Sequence, residues 1–339
     1  MLNNGQPQYF NFSVPGTSPL APAFPNVLTA LPTGFNLPTQ TVTTVSPDFR
    51  TTYSANFNVQ ISREITPNFG ISASYLYTKG THLPIYRNIN TIPNGNTLED
   101  GRPIFGSGRI DTRFDGIVMA ESTGNSNYNG MNVLLTRRRS HGMDFSASYT
   151  WSHAIDDAPE QNVIDSSTSN WLSDPANRRR DRASSFTDRR HALNANAVLN
   201  PQVSKGSGPL HYLANNNQLA LMFSAQSGDP FNEGSNRVLN GDAQIPSAMQ
   251  RPLYVGRNTI RGQAIYQLDA RYSRFFPIGE RFKPEFLVEA WNLFNHTNVT
   301  GYNTTATVDT LGHILTAPSF AQTAALDPRL LQMGIRVSW

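Results

Sequence analysis

The sequence contains nine segments in which apolar and polar residues alternate, and each is about as long as a tilted strand that crosses a membrane. In the first segment Tyr53, Phe57 and Ile61 alternate with polar residues such as Ser54 and Asn58. Because successive side chains of a strand point to opposite faces, this pattern predicts strands with one apolar and one polar face. The predicted strands lie near residues 51–65, 69–78, 131–135, 143–152, 193–199, 219–225, 266–273, 282–294 and 329–339.

The connections between these segments are alternately short and long. The short ones include a turn at 66–68, whereas the long ones cover 81–126, 155–188, 228–262 and 296–328 and are rich in Gly, Asn and Ser. Long structureless loops are uncommon in compact soluble domains, but outer-membrane barrels have short periplasmic turns and long extracellular loops. We therefore expect an all-β protein, an antiparallel transmembrane β-barrel in which the ninth strand pairs with the eighth.

The composition limits the class of protein further. Of 339 residues, 38% are hydrophobic and 15% are charged, which leaves few of the Lys and Glu residues that cover soluble surfaces. No apolar run approaches the roughly 18 residues of a transmembrane helix, so a helical membrane protein is excluded. The net charge of +3 is too small to indicate a nucleic-acid partner, and without cysteines neither disulfides nor thiolate metal sites are possible.

Strand direction indicates where the chain lies within a barrel. If the long loops are extracellular, the ninth strand ends at the periplasmic side, and the first strand runs in the same direction. Complete bacterial barrels normally have an even number of strands and both termini in the periplasm. The first residues also lack the basic and apolar regions of a signal peptide. We therefore expect the C-terminal portion of a larger barrel, from a gene fragment or a mis-started reading frame.

Two regions follow from this interpretation. Residues 1–50 contain many prolines, and we interpret them as an extracellular loop or remnant that precedes the first strand. Residues 51–339 are interpreted as a partial barrel domain of about nine strands. The expected location is the outer membrane of a Gram-negative bacterium, where lipid and lipopolysaccharide surround the chain.

The end of the chain fits a strand that stops at a membrane interface. Four apolar residues share one face there: Met333, Ile335, Val337 and Trp339. Aromatic rings prefer the headgroup level, and several lie near other predicted strand ends: Tyr75, Tyr77, Tyr149, Trp151, Tyr272, Phe276 and Phe294. Periodicity alone does not separate a lipid-facing surface from the core of a soluble β-sandwich, so that alternative stays open on this evidence.

Charged residues on the polar faces are expected to pair across the barrel lumen. The predicted network comprises Asp269, Arg271, Lys283, Glu285, Glu289 and Arg336. The densest charge lies at 178–182 and 188–191, where a polyanion such as nucleic acid or lipopolysaccharide phosphate could bind. Because this tract also contains acids and lacks interleaved aromatic residues, we interpret it as a charge network at the outer mouth.

Few residues in the sequence indicate metal binding or catalysis. One group could be interpreted as a metal cluster: His153, Asp156, Asp157 and Glu160. No second cluster completes such a site, so we expect no metal and no cofactor. The pairs 156 and 157, and 285 and 289, could do acid–base work, but no nucleophile or oxyanion site accompanies them. Since no Gly-x-Ser-x-Gly, P-loop, Rossmann or zinc-protease motif occurs, the sequence gives no evidence for an enzyme.

Six short motifs and the aromatic end of the chain carry a family resemblance. The motifs are YLYTKGTHL at 75–83, SNYNGM at 126–131, YTWS at 149–152, DRRH at 188–191, GRNTIRG at 256–262 and EAWNLFNH at 289–296. In this order, across residues 51–339, they resemble the C-terminal half of the barrel of TonB-dependent outer-membrane receptors. The more specific resemblance is to the Oar-like subfamily, whose members have a carboxypeptidase-regulatory-like N-terminal domain.

The resemblance implies a barrel of about 22 strands, plugged by an N-terminal domain. Such receptors take up a scarce nutrient or chelate with energy relayed by TonB. It also implies that the terminal apolar residues are the assembly signal that the barrel-insertion machinery reads. This sequence contains no plug, TonB box or signal sequence, so we expect TonB to act only through a missing N-terminal region and the chain not to transport alone. The alternative is a small stand-alone outer-membrane barrel, or a surface-binding or adhesion protein that uses its long loops.

Overall fold

The structure is a computed structural model, and it describes residues 39–140, 142–157, 171–201, 215–245, 249–276 and 282–338, together with residues 21, 208, 211 and 278. Strands dominate this part of the chain, and a short 3₁₀ helix, Arg178–Asp181, lies in one of the long connections. Across these described ranges, no helix has both the length and the apolar character needed to cross a membrane.

The strands are numbered in chain order. The first ten are β1 (Gln40–Val45), β2 (Tyr53–Thr66), β3 (Phe69–Asn88), β4 (Thr91–Thr97), β5 (Pro103–Arg109), β6 (Phe114–Ser140), β7 (Met143–Asp156), β8 (Ala183–Ser184), β9 (His191–Leu199) and β10 (Asn217–Gln226). The others are β11 (Pro230–Phe231), β12 (Gly234–Ser235), β13 (Ile260–Arg261), β14 (Ile265–Phe275), β15 (Lys283–Trp291), β16 (Val299–Tyr302), β17 (Thr305–Val308), β18 (Ile314–Thr316), β19 (Gln322–Ala325) and β20 (Leu330–Ser338).

The main sheet has eleven strands, because β1 and β8 pair with β6 and β7 beside its main path. That path consists of nine antiparallel strands in up-and-down order, β2-β3-β6-β7-β9-β10-β14-β15-β20. These are the nine segments that the alternation predicts, so the predicted all-β antiparallel fold is confirmed. The last strand pairs with β15, as expected, with Arg336 opposite Glu285. Within the described residues the edge strands β2 and β20 do not pair with each other, and the sheet is therefore open.

One face of the main sheet is apolar across its whole width. Directly opposite residues in antiparallel strands share a face, and Val133 lies opposite Ala73 on one side and Tyr149 on the other. A second row crosses six strands through Phe145, Ala197, Leu221, Ala270, Ala290 and Leu331. At the two edges of the sheet, large side chains on this face are exposed: Ile61 is 74% and Ile335 is 77% exposed.

The opposite face is polar. One of its rows contains Ser62, Ser72, Leu134, Ser148, Asn194, Ser224 and Gln267. Hydrogen bonds join side chains along it, since the amide nitrogen of Asn132 donates to the hydroxyls of Ser148 and Thr150 at 2.8 Å each. A one-residue register slip would exchange the two faces, so the alternation fixes the register of every strand pair.

The predicted long loop at 81–126 is wrong in its bounds. Strand β3 continues to Asn88 and β6 begins at Phe114, so their ladder extends well beyond the other strands. His82 has a left-handed φ of 60°, and the register shifts between Thr81 and Ile85. Side-chain alternation is lost at this irregularity, but the backbone pairing resumes after it. The pattern on which the prediction depended therefore ended before the strand did.

The region before the first predicted strand contains an unpredicted strand. Residues Gln40–Val45 form β1, which pairs in parallel with the start of β6, from Phe114 to Ala120. The hydroxyl of Thr41 also donates to the Gln244 side chain at 3.0 Å. The prolines on which the interpretation of residues 1–50 as an extracellular loop depended lie almost entirely outside the described residues.

The long connections fold into an ordered layer at one end of the sheet. We define the long-loop layer as the connections after β3, β7, β10 and β15, together with β1 and the adjoining ends of β3 and β6. It contains four small sheets: β4-β5, β11-β13, β12-β17-β18 and β16-β19. The other end of the sheet has only the shorter connections, and we call it the short-turn end.

The buried apolar clusters of the described chain lie in the long-loop layer. The largest consists of Tyr86, Val118, Ala120, Trp171, Ile245 and Met249. A second consists of Leu98, Leu239, Leu253, Ala306 and Val308, and a third pairs Ile85 with Leu172. Full burial of such a side chain is worth about 1.5–3 kcal/mol. These clusters therefore hold the four long connections together from within.

Candidate functional site

Four of the six charged residues predicted to form a lumen network meet on the polar face. Arg271 donates to Glu285 at 3.1 Å and lies 3.4 Å from Glu289, and Arg336 lies 3.7 Å from Glu285. Strands β14, β15 and β20 position these side chains, because Arg271 is opposite Glu289 and Glu285 is opposite Arg336. The other two predicted members, Asp269 and Lys283, lie outside these ion pairs.

Asp269 and Lys283 do not join these ion pairs. The Asp269 carboxylate accepts from the Gln267 side chain at 2.7 Å and from the Asn292 backbone N–H at 2.8 Å. Asp269 lies further along β14, and it caps the backbone where β15 ends. Among the described residues Lys283 forms no salt bridge, because it lies at the start of β15 opposite Ser338.

Two arginines of the connection after β10 are buried against one aspartate at the end of β7 and one in the connection that follows it. The Arg251 guanidinium donates to Asp181 at 2.7 Å and to the Ser173 hydroxyl at 2.9 Å. Arg257 donates to the Asp156 carboxylate and also to the backbone oxygen of Asp181. Buried charges are stable only when they are paired in this way. These contacts fix two long connections against each other.

Asp188 is, after Asp181 and Asp156, the third aspartate that attaches parts of the long-loop layer to each other through arginines. Its buried carboxylate accepts from the Ala154 N–H at 2.8 Å, from Arg261 at 2.8 Å, from Arg190 at 3.0 Å and from the His153 ring at 3.2 Å. Burial alone would raise the pKa of Asp188, but these hydrogen bonds lower it from 3.8 to about 2. The carboxylate is therefore ionised at neutral pH and joins the end of β7 to the connection before β14.

The basic tract at 178–182 and 188–191 is largely occupied by contacts within the protein. Arg178 donates to the backbone oxygen of Thr123, Arg182 to Asp157 at 2.6 Å, and Arg189 lies 3.0 Å from Asp229. Arg178, Arg182 and Arg189 therefore have little of their charge free for a polyanion, whereas Arg180 pairs with Asp174 and also lines a pocket.

The residues considered as a metal cluster do not converge. His153 contacts Asp188, whereas Asp156 pairs with Arg257 and Asp157 with Arg182. Glu160 lies outside the described residues. No group of three or more potential ligands able to hold a metal occurs in the part of the chain that the structure describes. The two acidic pairs are likewise occupied by arginines, since Glu285 and Glu289 both contact Arg271.

A pocket of about 300 Å³ opens in the long-loop layer beside these ion pairs. Its wall includes Asp100, Arg102, Arg180, Arg251 and Tyr254. The β4–β5 turn supplies Asp100 and Arg102, the 3₁₀ helix supplies Arg180, and the connection after β10 supplies Arg251 and Tyr254. Sequence reasoning missed the pocket, because these residues lie in three different long connections without a common motif.

The GRNTIRG motif has a structural explanation. Its two arginines are Arg257 and Arg261, which bind Asp156 and Asp188. Asn258 has a left-handed φ of 53° and donates to the Ser184 backbone oxygen at 2.8 Å. The motif therefore attaches one long connection to the other, a role that spacing alone does not indicate.

The terminal residues expected to form an assembly signal lie on an open edge. Met333 is 71%, Ile335 is 77% and Val337 is 39% exposed on the apolar face of β20. Trp339, the fourth, lies outside the described residues. Of the rings expected at strand ends, Trp151 is 56% exposed, but Tyr75 lies in the middle of β3 because that strand is longer than predicted.

Comparison with known proteins gives a family and a fold. The profile of the family described as "Outer membrane beta barrel domain" matches residues 2–256 and 246–332. No curated protein sequence matches the chain. Among solved structures, the outer membrane transporter YddB from Escherichia coli is similar over 90% of this chain and 35% of its own, with a TM-score of 0.50 and 12% identity.

Two other solved structures are similar at lower TM-scores. The ferric-catecholate import receptor Fiu from E. coli K12 matches 86% of this chain and 28% of its own, with a TM-score of 0.43 and 12% identity. The FrpB iron transporter from Neisseria meningitidis matches 87% of this chain and 32% of its own, with a TM-score of 0.45 and 10% identity. The chain spans about a third of the length of the solved proteins that it matches.

Proposed function

This chain belongs to the outer membrane β-barrel domain family, and from that premise we propose that it is the barrel part of a TonB-dependent transporter for a nutrient or chelate. The location is the outer membrane. Beyond the family and the location, the proposal includes energised uptake, a TonB partner that acts through a plug outside this sequence, and membership of the Oar-like subfamily. The quoted motifs support the subfamily, and the fold similarity to an outer membrane transporter supports the class.

The observation that carries the proposal is the combination of a two-faced sheet with a packed layer at one end. The apolar face suits lipid and the polar face suits a water-filled or plugged lumen. The long-loop layer is ordered by buried ion pairs such as Arg251 with Asp181. A rigid layer at the mouth of a barrel suits selective capture of a solute, because a preformed site does not lose ordering entropy on binding.

The second candidate is a surface-binding or adhesion protein. The long-loop layer favours it to some extent, because the layer has its own apolar clusters and could present a binding surface. The open sheet opposes a stand-alone barrel, since each unpaired backbone group at a lipid-exposed edge costs several kcal/mol. The main proposal therefore includes closure by further strands.

Site-directed labelling tests the orientation. The chain has no cysteines, so Tyr254→Cys at the long-loop layer and Asn68→Cys at the short-turn end each create one thiol. A membrane-impermeant maleimide should label position 254 in intact cells and position 68 only after lysis. Labelling of position 68 in intact cells, without labelling of 254, would reverse the proposed orientation.

Genetic epistasis tests energised uptake. A deletion of the locus should reduce growth on the nutrient that the protein imports, and the same nutrient should be affected by deletion of TonB. The double deletion should be no worse than the TonB deletion alone. An additive loss, or a phenotype limited to surface adhesion, would favour the second candidate. Refolding of the chain in detergent to a heat-modifiable, protease-resistant monomer would contradict the incomplete-barrel part of the proposal.

A further inference from the structure

The pocket of about 300 Å³ in the long-loop layer has an unusual balance of charge. Three arginines contribute to its lining: Arg102, Arg180 and Arg251. Among the described lining residues the acidic one is Asp100, which accepts from the Nε of Arg102 at 2.9 Å. Burial alone would raise the pKa of Asp100, but the hydrogen bonds and charge of Arg102 and the charge of Arg180 hold it below its ordinary value.

The other neutralising carboxylates lie behind the wall. Asp181 pairs with Arg251 at 2.7 Å, and Asp174 lies 2.9 Å from the Nε of Arg180. Both aspartates are 2% exposed, and neither lines the pocket. The lining therefore includes three arginines and one aspartate, and each arginine is paired with one carboxylate.

Only some of the hydrogen-bond donors of the Arg102 guanidinium have a partner among the described residues. Its residue is 2% exposed, its Nε binds Asp100, and its Nη1 donates to the Arg251 backbone oxygen at 2.8 Å. The Nη2 atom is buried and has no hydrogen-bond partner among the described residues. A buried donor without a partner is unfavourable. An acceptor from outside the chain that reaches this donor through the pocket would complete its hydrogen bonding.

Tyr254 gives the pocket an aromatic rim. Tyr254 is 73% exposed, and its backbone has a left-handed φ of 62°. A ring in this position can cover the apolar part of a bound molecule. Arg180 is also accessible, because 30% of its side chain is exposed.

We propose that this pocket binds the carboxylate or phosphate group of a small soluble anion, with Arg102 and Arg180 as the principal donors. The planar guanidinium presents paired N–H groups that match the oxygens of either oxyanion. Tyr254 contacts the remainder of the molecule. The inference goes beyond the proposed function, because binding here requires neither TonB nor completed transport.

Equilibrium dialysis of the protein extracted from the outer membrane into detergent micelles tests the site. The probes are radiolabelled citrate and radiolabelled inorganic phosphate, each measured at low and high salt. At least one probe should bind saturably, and more weakly at high salt. Arg180→Gln and Arg102→Gln should each weaken that binding about tenfold or more, the size expected for loss of a charge-assisted hydrogen bond. Tyr254→Ala should weaken binding of citrate more than binding of phosphate.

The matched control is Arg113→Gln, which removes the same charge from a side chain that is 77% exposed and pairs with Asp111. This variant should bind the probes like the unmodified chain. Equal weakening in the control, or no saturable binding of either probe, would overturn the proposal. If Arg102→Gln loses its strand circular dichroism, the more accessible positions 180 and 254 still decide the outcome.

A competition arm distinguishes the source of the anion. Lipopolysaccharide and its dephosphorylated form are added separately to the dialysis. If neither displaces the probe, a small soluble anion is supported. Displacement by lipopolysaccharide but not by the dephosphorylated form would instead assign the pocket to a lipid phosphate and overturn the proposal.

Discussion

Arg257 and Asp156 are separated by 101 positions in the sequence, yet the guanidinium of one donates directly to the carboxylate of the other. Their side chains are 2% and 8% exposed. Arg257 belongs to the connection that follows β10, and Asp156 is the last residue of β7. One buried ion pair therefore ties the layer to the rim of the sheet.

Removing one partner of this pair should be costly. In Arg257→Gln the carboxylate of Asp156 stays buried without its cation, and we expect a loss of about 3–5 kcal/mol of unfolding free energy. Urea unfolding of the protein extracted from the outer membrane into micelles measures this loss. The control is Arg113→Gln, which breaks an exposed pair with Asp111 and should leave the urea midpoint unchanged. Equal shifts in both variants would contradict the role given to burial.

Stability should fall in acid because of Asp188. The pKa of this carboxylate is about 2 in the folded protein against 3.8 ordinarily. A lowered folded pKa means that its contribution is fully present above pH 3.8 and is lost as the pH falls through about 2. Asp188→Asn should remove this part of the acid sensitivity. The check is a series of unfolding midpoints from neutral pH down to pH 2, in which parallel curves for the two proteins would disprove the assignment.

The two faces of the sheet should respond oppositely to a charge. Ala195 lies on the apolar face of β9, between Ala147 and Phe223, whereas its neighbour Asn194 lies on the polar face. Ala195→Arg should cost about 2–4 kcal/mol near the bilayer midplane, and Asn194→Arg should cost far less. Outer-membrane yield and urea unfolding in lipid give the comparison. A reversed ranking would show that the faces have been exchanged.

The terminal strand should control assembly. Trp339→Ala, or deletion of residues 337–339, is expected to reduce surface display of the full-length parent severalfold, as would follow if the barrel-insertion machinery reads Met333, Ile335, Val337 and Trp339. Ser338→Ala changes the opposite face of β20 and serves as the control. Flow cytometry with an epitope in a long connection measures display. Undiminished display of the truncated protein would count against the assembly signal.

The sequence was most informative where a single physical requirement acts on every residue. Alternation of side chains predicts all nine main strands, because the register of a two-faced sheet depends on it. The pairing of Val133 with Ala73 and Tyr149 is an example. At His82, whose φ is left-handed, the alternation fails. The sequence pattern therefore does not predict the continuation of β3 to Asn88.

The long-loop layer could not be predicted in the same way. Its contacts join residues such as Arg251 and Asp181, which are 70 positions apart and follow no repeat. Charge pairing of this kind depends on how several connections fold together, and composition shows only that the charges exist. The tract around Arg180 was therefore identified as a charge network, but the pocket that it helps to line was not.

The apolar side chains of this protein fall into two populations with different needs. Tyr86, Trp171 and Ile245 cover one another within the long-loop layer, whereas Ile61 and Ile335 are exposed on the sheet and depend on surrounding hydrocarbon. Withdrawal of detergent should therefore act on the second population first. The chain would then associate through its sheets while the layer keeps its internal packing, so aggregated material could still bear natively folded antibody epitopes.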